Sequence, residues 1–294
     1  MKPLPFHIVD VFAEHKYAGN QLAVFRDARS LSSELMQKIA RETNFSETTF
    51  ILSDTPRNGG YDVRIFTPAA EVPFAGHPTL GTAHVIRQEL IRSPVPQVRL
   101  NLKVGQIPVS FGQAGETDIL WMRQNAPAFG PTLDPDEMAD LLGLVPSQID
   151  ARSPVQEVST GLWFTIVPLV NLDALKQARL ARDRYFAFVA NRQAKAVLVF
   201  CPEPYGRESN LSARVFVPCY GIEEDPATGS GNGCLAAYLV KHRCLGGSDV
   251  DVRVDQGYEI GRPSRLYLRA KQENGRIEVN VGGKVVLVAN AELV

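Results

Sequence analysis

Residues 71–83 read EVPFAGHPTLGTA, and residues 224–237 read EDPATGSGNGCLAA. Each is an extended run, then a glycine-containing turn, then a helix of small residues. In the first stretch Gly76 and His77 stand before Pro78. Its missing N–H suits the first turn of a helix, where that donor has no partner anyway. In the second, Gly229-Ser230-Gly231 takes the same place, and Leu235, Ala236, Leu239 and Val240 form an apolar stripe at helical spacing behind it. The free N–H groups and positive dipole end of a helix start attract anions, so two such starts facing one another form a clamp for an anionic ligand. The rest of the chain reads as scaffolding for that clamp.

The two stretches belong to a longer repeat. Arg64-x-Phe66-x-Pro68 matches Arg214-x-Phe216-x-Pro218 at an offset of 150 residues, Gly76 matches Gly229 at 153, and Gly105 matches Gly257 at 152. Three matches in order near one offset indicate duplication, and an offset of half the chain means two pseudo-symmetric domains and not a solenoid. The expected domains are residues 1–125 and 126–294, with the terminal strand free to cross back to the first. The ligand site is expected in the cleft between them.

Composition narrows the function. The 294 residues carry 31 Lys plus Arg against 32 Asp plus Glu, a net charge of −1, which argues against a nucleic-acid surface. The cluster Arg179, Arg182 and Arg184 reads as a solvated helix face. No apolar run has membrane length, and the start MKPLPFHIVDVF lacks a signal-peptide core, so a cytoplasmic location is expected. Cys201, Cys219, Cys234 and Cys244 show no CxxC spacing and read as reduced thiols. The five histidines, His7, His15, His77, His84 and His242, show no metal-ligand spacing, so no metal is expected. There is no Walker motif and no strand–GxGxxG–helix opening, so no nucleotide cofactor is expected either. Ser230 follows its first glycine by one residue, which is not the spacing of a nucleophile elbow.

Along the chain, strands are expected at 6–12, 21–25, 61–67, 99–103, 107–111, 119–123, 161–170, 185–190, 196–201, 250–254, 265–270, 277–281 and 285–288, from alternation and β-formers. Helices are expected at 33–43, capped by Ser32 or Ser33, at 134–143, and at 172–184. Glu47 stands just before a β-type run. Its flanks Phe45, Phe50 and Ile51 would surround the carboxyl with apolar groups, raising its pKa toward that of a general base; a surface glutamate at a strand start is the alternative. His77, at a helix start, should be neutral and is read as a structural cap, as a ligand contact or as a proton shuttle. Asp225 reads as an acidic turn residue before a proline. Ser230 reads as a helix cap whose hydroxyl and neighbouring amides also make an anion nest.

FHIVDVF with Gly19-Asn20, SETTF, RIFTPAAEVPFAGHPTLGTA, RVFVPCYGIEEDPATGSG and QGYEIGRPS resemble, in order, the phenazine-biosynthesis isomerase family (PhzF-like proteins). The resemblance runs from about residue 6 to the end. It implies the diaminopimelate-epimerase-like fold, an α+β architecture of two similar domains, each a curved, mainly antiparallel sheet around a central helix. It also implies isomerisation of trans-2,3-dihydro-3-hydroxyanthranilate or a similar small carboxylate, without cofactor or metal, in a homodimer. The family's acid/base glutamate falls on Glu47, its substrate-contacting histidine on His77 and its aspartate on Asp225. Its anion contacts fall on Gly229 and Ser230, with Gly231 beside them and Gly76 opposite; Asn20 and Ser46, inside the matched motifs, join the substrate-binding set. Two-cysteine racemases of this fold place a thiol just before each glycine turn. Here those positions are Ala75 and Thr228, which speaks against a two-thiol racemase. The rival readings are another proton transfer in the same site, such as an epimerisation with a second base, and a catalytically silent ligand-binding protein.

Overall fold

The computed structural model describes residues 3–114 and 117–294. The first elements in chain order are β1 (Leu4–Val11), β2 (Asn20–Phe25), α1 (Ser33–Thr43), β3 (Glu47–Ile51), β4 (Tyr61–Phe66), β5 (Glu71–Val72) and α2 (Gly76–Val85). Then follow β6 (Gln97–Leu102), β7 (Gly105–Ala114), β8 (Thr117–Arg123), β9 (Ala128–Thr132), α3 (Pro135–Leu141), β10 (Gln156–Ser159) and β11 (Trp163–Pro168). The last are α4 (Leu172–Gln177), α5 (Arg182–Val189), β12 (Ala196–Cys201), β13 (Leu211–Val217), β14 (Ile222–Asp225), α6 (Gly229–Lys241), β15 (Asp249–Gln256), β16 (Ser264–Glu273), β17 (Arg276–Gly283) and β18 (Val285–Leu293). This is the expected α+β class. No helix among the described residues is long and apolar enough to cross a membrane.

The chain divides into two compact units, one of Met1–Met122 with Gly282–Val294 and one of Arg123–Val281. In the first unit β1 lies antiparallel between β18 and β2, β2 runs parallel to β3, and β3 is antiparallel to β4. Strand β4 pairs antiparallel with β5 and parallel with β6, which opens the β6–β7–β8 meander. The second unit repeats the pattern. Strand β10 lies antiparallel between β9 and β11, β11 runs parallel to β12, and β12 is antiparallel to β13. Strand β13 pairs antiparallel with β14 and parallel with β15, which is antiparallel to β16. A parallel pair needs a crossover connection, and each such pair here encloses helix: α1 or α4–α5 at the first, α2 or α6 at the second.

The second crossover helix is the centre of each unit. Apart from Gly76 and His84, every residue of α2 is buried, and in α6 only Ser230 and Lys241 are not. A helix apolar or small on all sides is a core helix. Helix α2 packs on β1, β2, β3, β6, β7 and β18, and α6 on β10, β11, β15 and β16. The small residues are what allow such close approach. A Cβ on Gly81 would lie 2.6 Å from Leu22 Cδ2 and 2.9 Å from Val11 Cγ2. One on Gly231 would lie 2.9 Å from Phe164 Cε1.

The RxFxP motif has a physical meaning in both units. Arg64 grips Glu71 with two bonds of 2.8 Å, its guanidinium 5.0 Å from the Phe66 ring centroid. Arg214 grips Glu224 with bonds of 2.9 and 2.8 Å and lies 4.9 Å from the Phe216 ring centroid. The register is the same in both, Phe66 opposite Glu71 and Phe216 opposite Glu224. The fork ties each β-hairpin shut immediately before its central helix, and bidentate arginine–carboxylate pairs are geometrically demanding enough to set the chain's path there.

Two expected elements are different in the structure. The helix expected at 172–184 breaks into α4 and α5, and the strand expected at 185–190 is helical, lying within α5 up to Val189. Ala178 leaves the helical region at ψ 127, and the amides of Arg179 and Ala181 bond to the carbonyls of Leu142 and Leu141, at the end of α3. Tyr185 is then buried with its hydroxyl donating to the Lys195 carbonyl. Tertiary partners override the β-propensity of the YFAFV run. Strands β9 and β10 were not expected, and β5 and β14 fall at the two extended runs expected before the glycine turns; all four are short, two to five residues, and carry little periodicity. The expected cap of α1 is Ser32, whose hydroxyl accepts the Leu35 amide at 3.1 Å.

Candidate active site

In the first unit three turns deliver the polar groups. Gly19 sits at φ 66, where a side chain is disfavoured, and a Cβ there would lie 2.3 Å from the Val11 carbonyl. This tight turn starts β2 with Asn20, which is buried. Helix α1 ends at Asn44 with φ 54, and the short turn through Phe45 and Ser46 starts β3 with Glu47. The parallel register sets Glu47 beside Leu22, close to the start of β2. Helix α2 then begins with Gly76 and His77.

These connections bring Glu47 and His77 together: Glu47 Oε2 lies 3.5 Å from His77 Nε2, with side-chain exposures of 19% and 7%. Burial pushes His77 down to about 3, opposed in part by a hydrogen bond to the Gln21 backbone. The imidazole is therefore neutral at ordinary pH, and the contact is not an ion pair. Nε2 makes no hydrogen bond, which leaves Nδ1–H to donate to the Gln21 carbonyl. A lone pair on Nε2 thus faces the Glu47 carboxyl. A proton on the carboxyl can be shared with that lone pair, and the carboxyl, not the weakly basic imidazole, is the group that can release it to a neighbouring carbon.

Phe45 is partly buried, and Phe50 and Ile51 are buried. Phe50, with Phe45, packs into the cluster of Met36 and Ile39 of α1, whereas Glu47 lies by alternation on the face of Thr49, whose hydroxyl meets that of Thr82 of α2. The apolar surround expected for the carboxyl is therefore not supplied by the Phe50 ring. By contrast, the adjacent Glu71 is not a base. The Arg64 fork, with Lys103 Nζ at 2.7 Å, holds its carboxyl down at about 2.

In the second unit Asp225 ends β14 and Thr228 precedes α6. No side chain caps the start of α6 or of α2, so the backbone amides of Gly229, Ser230 and Gly231, and of Gly76 and His77, are not claimed by a capping group. The Thr228 hydroxyl turns instead to donate to Asp225 Oδ2. Behind them Gln256, fully buried, donates to the Asp225 carbonyl at 2.8 Å and to Thr228 Oγ1 at 3.1 Å. It accepts from Asn232 Nδ2 at 2.8 Å. In the sequence Thr228 was singled out only as the position of a racemase thiol, and Asn232 and Gln256 had no place in this network, although Gln256 opens the QGYEIGRPS motif; a buried amide has no periodicity to betray it.

The repeat is not chemically symmetric. Ala196 starts β12 opposite Phe164 of β11, the register position that Glu47 holds opposite Leu22. The second unit therefore has no carboxyl at that place. No group of three or more His, Cys, Asp or Glu side chains among the described residues is placed to hold a metal ion.

Thiols lie away from both helix starts' flanking positions, which are Ala75 and Thr228. Cys201 and Cys234 are buried, their thiols pushed up to about 11 and about 12 by desolvation; Cys219 is exposed and Cys244 lies between. Alkylation of the native protein should therefore modify Cys219 first and leave activity nearly intact, as peptide mass mapping and a parallel assay would show. Loss of activity in step with modification of a single thiol, prevented by ligand, would contradict this.

The profile of the family described as phenazine biosynthesis-like protein (PhzC-PhzF) matches residues 9–291. A trans-2,3-dihydro-3-hydroxyanthranilate isomerase of Pseudomonas aeruginosa is 36% identical over 279 residues, covering 94% of each chain. The uncharacterized isomerase YddE of Escherichia coli is 30% identical over 301 residues, covering 99% of this chain and 98% of its own. Among solved structures, a Bacillus anthracis phenazine biosynthesis protein of the PhzF family superposes with a TM-score of 0.90 at 27% identity over the full length of both chains. A probable proline racemase from Agrobacterium radiobacter, at TM-score 0.61 and 10% identity, shares the fold alone. With the family profile, the curated relatives and the fold in agreement, the chain belongs to the phenazine biosynthesis-like (PhzF) family.

Proposed function

We propose that the protein is an isomerase that shifts a proton between carbons of a small cyclic or unsaturated carboxylic acid, without cofactor, and that Glu47 takes and returns that proton. The observation that carries the reading is the contact of Glu47 with a buried, neutral His77 at the start of the core helix α2. The carboxyl is the group that changes protonation state. The imidazole, having only a lone pair on Nε2, accepts a hydrogen bond from the protonated carboxyl or from a substrate N–H or O–H. Asp225, Gly229, Ser230 and Gly231, with Asn20, Ser46 and Gly76, complete the proposed set as binders of the substrate's polar groups. Backbone amides at helix starts suit the carboxylate, because charge-assisted bonds exceed neutral ones in strength.

Ala196 at the register position of Glu47 favours one acid/base group over two. With one group the proton leaves and returns on the same face, so a part of it escapes exchange with solvent. The relatives named for trans-2,3-dihydro-3-hydroxyanthranilate make that compound the first substrate to try. The test is to incubate the protein with it in heavy water and follow product and deuterium content by NMR and mass spectrometry. Turnover with less than full deuterium at the receiving carbon supports the proposal. No turnover of this compound or of a panel of β,γ-unsaturated cyclic carboxylates would overturn it.

A further inference from the structure

We propose that Gln256 is a positioning residue for the site: it fixes the direction in which the Thr228 hydroxyl donates, and through that hydroxyl it aims the Asp225 carboxylate. The inference rests on the reading of Asp225 as a substrate-binding group and deepens it. It starts from topology. Strand β13 is flanked on one side by β12, and β14 and β15 share the rest of its length, with Asp225 opposite Val215 and Gln256 opposite Ala213. Because β14 is antiparallel to β13 and β15 is parallel to it, the two strands run toward each other and their last residues, Asp225 and Gln256, meet.

The chain then has to turn away at once. Gly257 does so at φ 79, where a Cβ would lie 2.4 Å from the Arg262 carbonyl oxygen and 2.6 Å from that of Pro226. Gln256 and Gly257 are therefore pressed against the Asp225–Thr228 turn. The first unit has no such amide: β6 ends at Leu102, and the turn residue Val104 is exposed.

Polarity follows from partners that have no choice. The Asp225 carbonyl can only accept, and it takes Gln256 Nε2–H. The Thr228 amide can only donate, and it donates to Gln256 Oε1 at 3.3 Å. The orientation of the Gln256 amide is thereby fixed, and its Nε2 meets Thr228 Oγ1 as a donor. The hydroxyl, having accepted there, sends its own hydrogen to Asp225 Oδ2. The relay Gln256 → Thr228 → Asp225 runs in one direction, and its end is a carboxylate stabilised as a hydrogen-bond acceptor. Such a group recognises an amino or hydroxyl substituent of the substrate.

The test compares Gln256→Met, which removes the amide at similar volume, Thr228→Val, which removes the hydroxyl, the double variant, and Gln256→Glu. For each, kcat and KM on trans-2,3-dihydro-3-hydroxyanthranilate are measured across pH, and the crystal structure is determined. Each single apolar variant is expected to lower kcat/KM by about ten- to a hundredfold, the range for loss of a hydrogen bond to a charged group, and the double variant no further. Gln256→Glu is expected to fall away from wild type as pH rises, because an ionised side chain there takes the Thr228 hydrogen from Asp225. Wild-type kcat/KM in Gln256→Met, or losses that multiply in the double variant, would overturn the proposal. So would variant structures in which Thr228 and the Asp225 carboxylate keep their places. If the wild-type protein turns over neither this compound nor the panel of unsaturated carboxylates, the reaction proposed above fails, and the variant structures alone decide the role of Gln256.

Discussion

Glu47→Gln should reduce turnover by about 10²–10⁴-fold, the contribution of a well-placed general acid/base. The amide keeps the size of the carboxyl and one acceptor oxygen, so the start of β3 and its register with Leu22 should survive. What is lost is the ability to take a proton. His77 does not replace it, because the buried imidazole, lowered to about 3, is too weak a base to carry a proton at neutral pH. The loss should fall on kcat and on kcat/KM alike, as for an interaction made only in the transition state. Steady-state kinetics of the variant, with circular dichroism to confirm the fold, decide the matter. Near-normal turnover would remove Glu47 from the mechanism and leave His77 or Asp225 as the acid/base group.

Arg214→Ala is expected to be the most damaging substitution for stability outside the core helices, at ~3–5 kcal/mol. Side-chain exposures of 4% for Arg214 and 9% for Glu224 leave little water to solvate what remains. Removing the guanidinium strands the Glu224 carboxylate and takes a donor from the carbonyls of Leu175 and Ala178, which Arg214 bonds at 3.0 and 2.7 Å; the Ala178 carbonyl keeps Arg179 Nη1 at 2.8 Å. Arg64→Ala should cost less. Glu71 keeps Lys103 at 2.7 Å and has more exposure to water. Urea unfolding monitored by fluorescence would rank the two, and equal midpoint shifts would contradict the argument.

Acid separates them further. Glu71 titrates near 2 in the folded chain against 4.5 when unfolded, so its pairing stabilises fully above pH 4.5 and is lost as the pH falls toward 2. An Arg64→Ala protein should accordingly lose less stability than wild type between pH 4.5 and pH 2.

The repeat was legible because its matching residues do the same physical work twice. Arg64 and Arg214, with Phe66, Phe216, Glu71 and Glu224, build one clasp in two places, so the spacing carried through. Helix α1 and its Ser32 cap were readable for the same local reason: capping chemistry and the apolar face lie within one short segment. Segment 178–190 was not readable. Its break is dictated by carbonyls of Leu141 and Leu142, residues remote in sequence, and the burial of Tyr185 by the Lys195 carbonyl.

Of the proposed site residues, Glu47 and His77 were singled out because their residue types and turns are chemically expressive, and the structure brings those two side chains together. Gln256 was quoted in a motif and given no role. Its importance is a matter of which atom of its amide faces which neighbour, and that is fixed only once β14 and β15 meet along β13.

The last strand carries a consequence for how the chain is made. Strand β18 pairs along the whole of β1, from Leu4 opposite Leu293 to Val11 opposite Val285, and His7 Nδ1 bonds Asn290 Oδ1 at 2.7 Å. One edge of β1 therefore has its partner in β18, which is synthesised after every other strand named above. The unit Arg123–Val281 has its strands available before β18 is made and can close while the chain is still growing. The other unit waits with an open edge, exposed to pairing with foreign strands, until β18 has emerged. Shortening the C-terminus by the length of β18 should thus show itself first as aggregation of newly made protein, before any measurement of the folded state becomes possible.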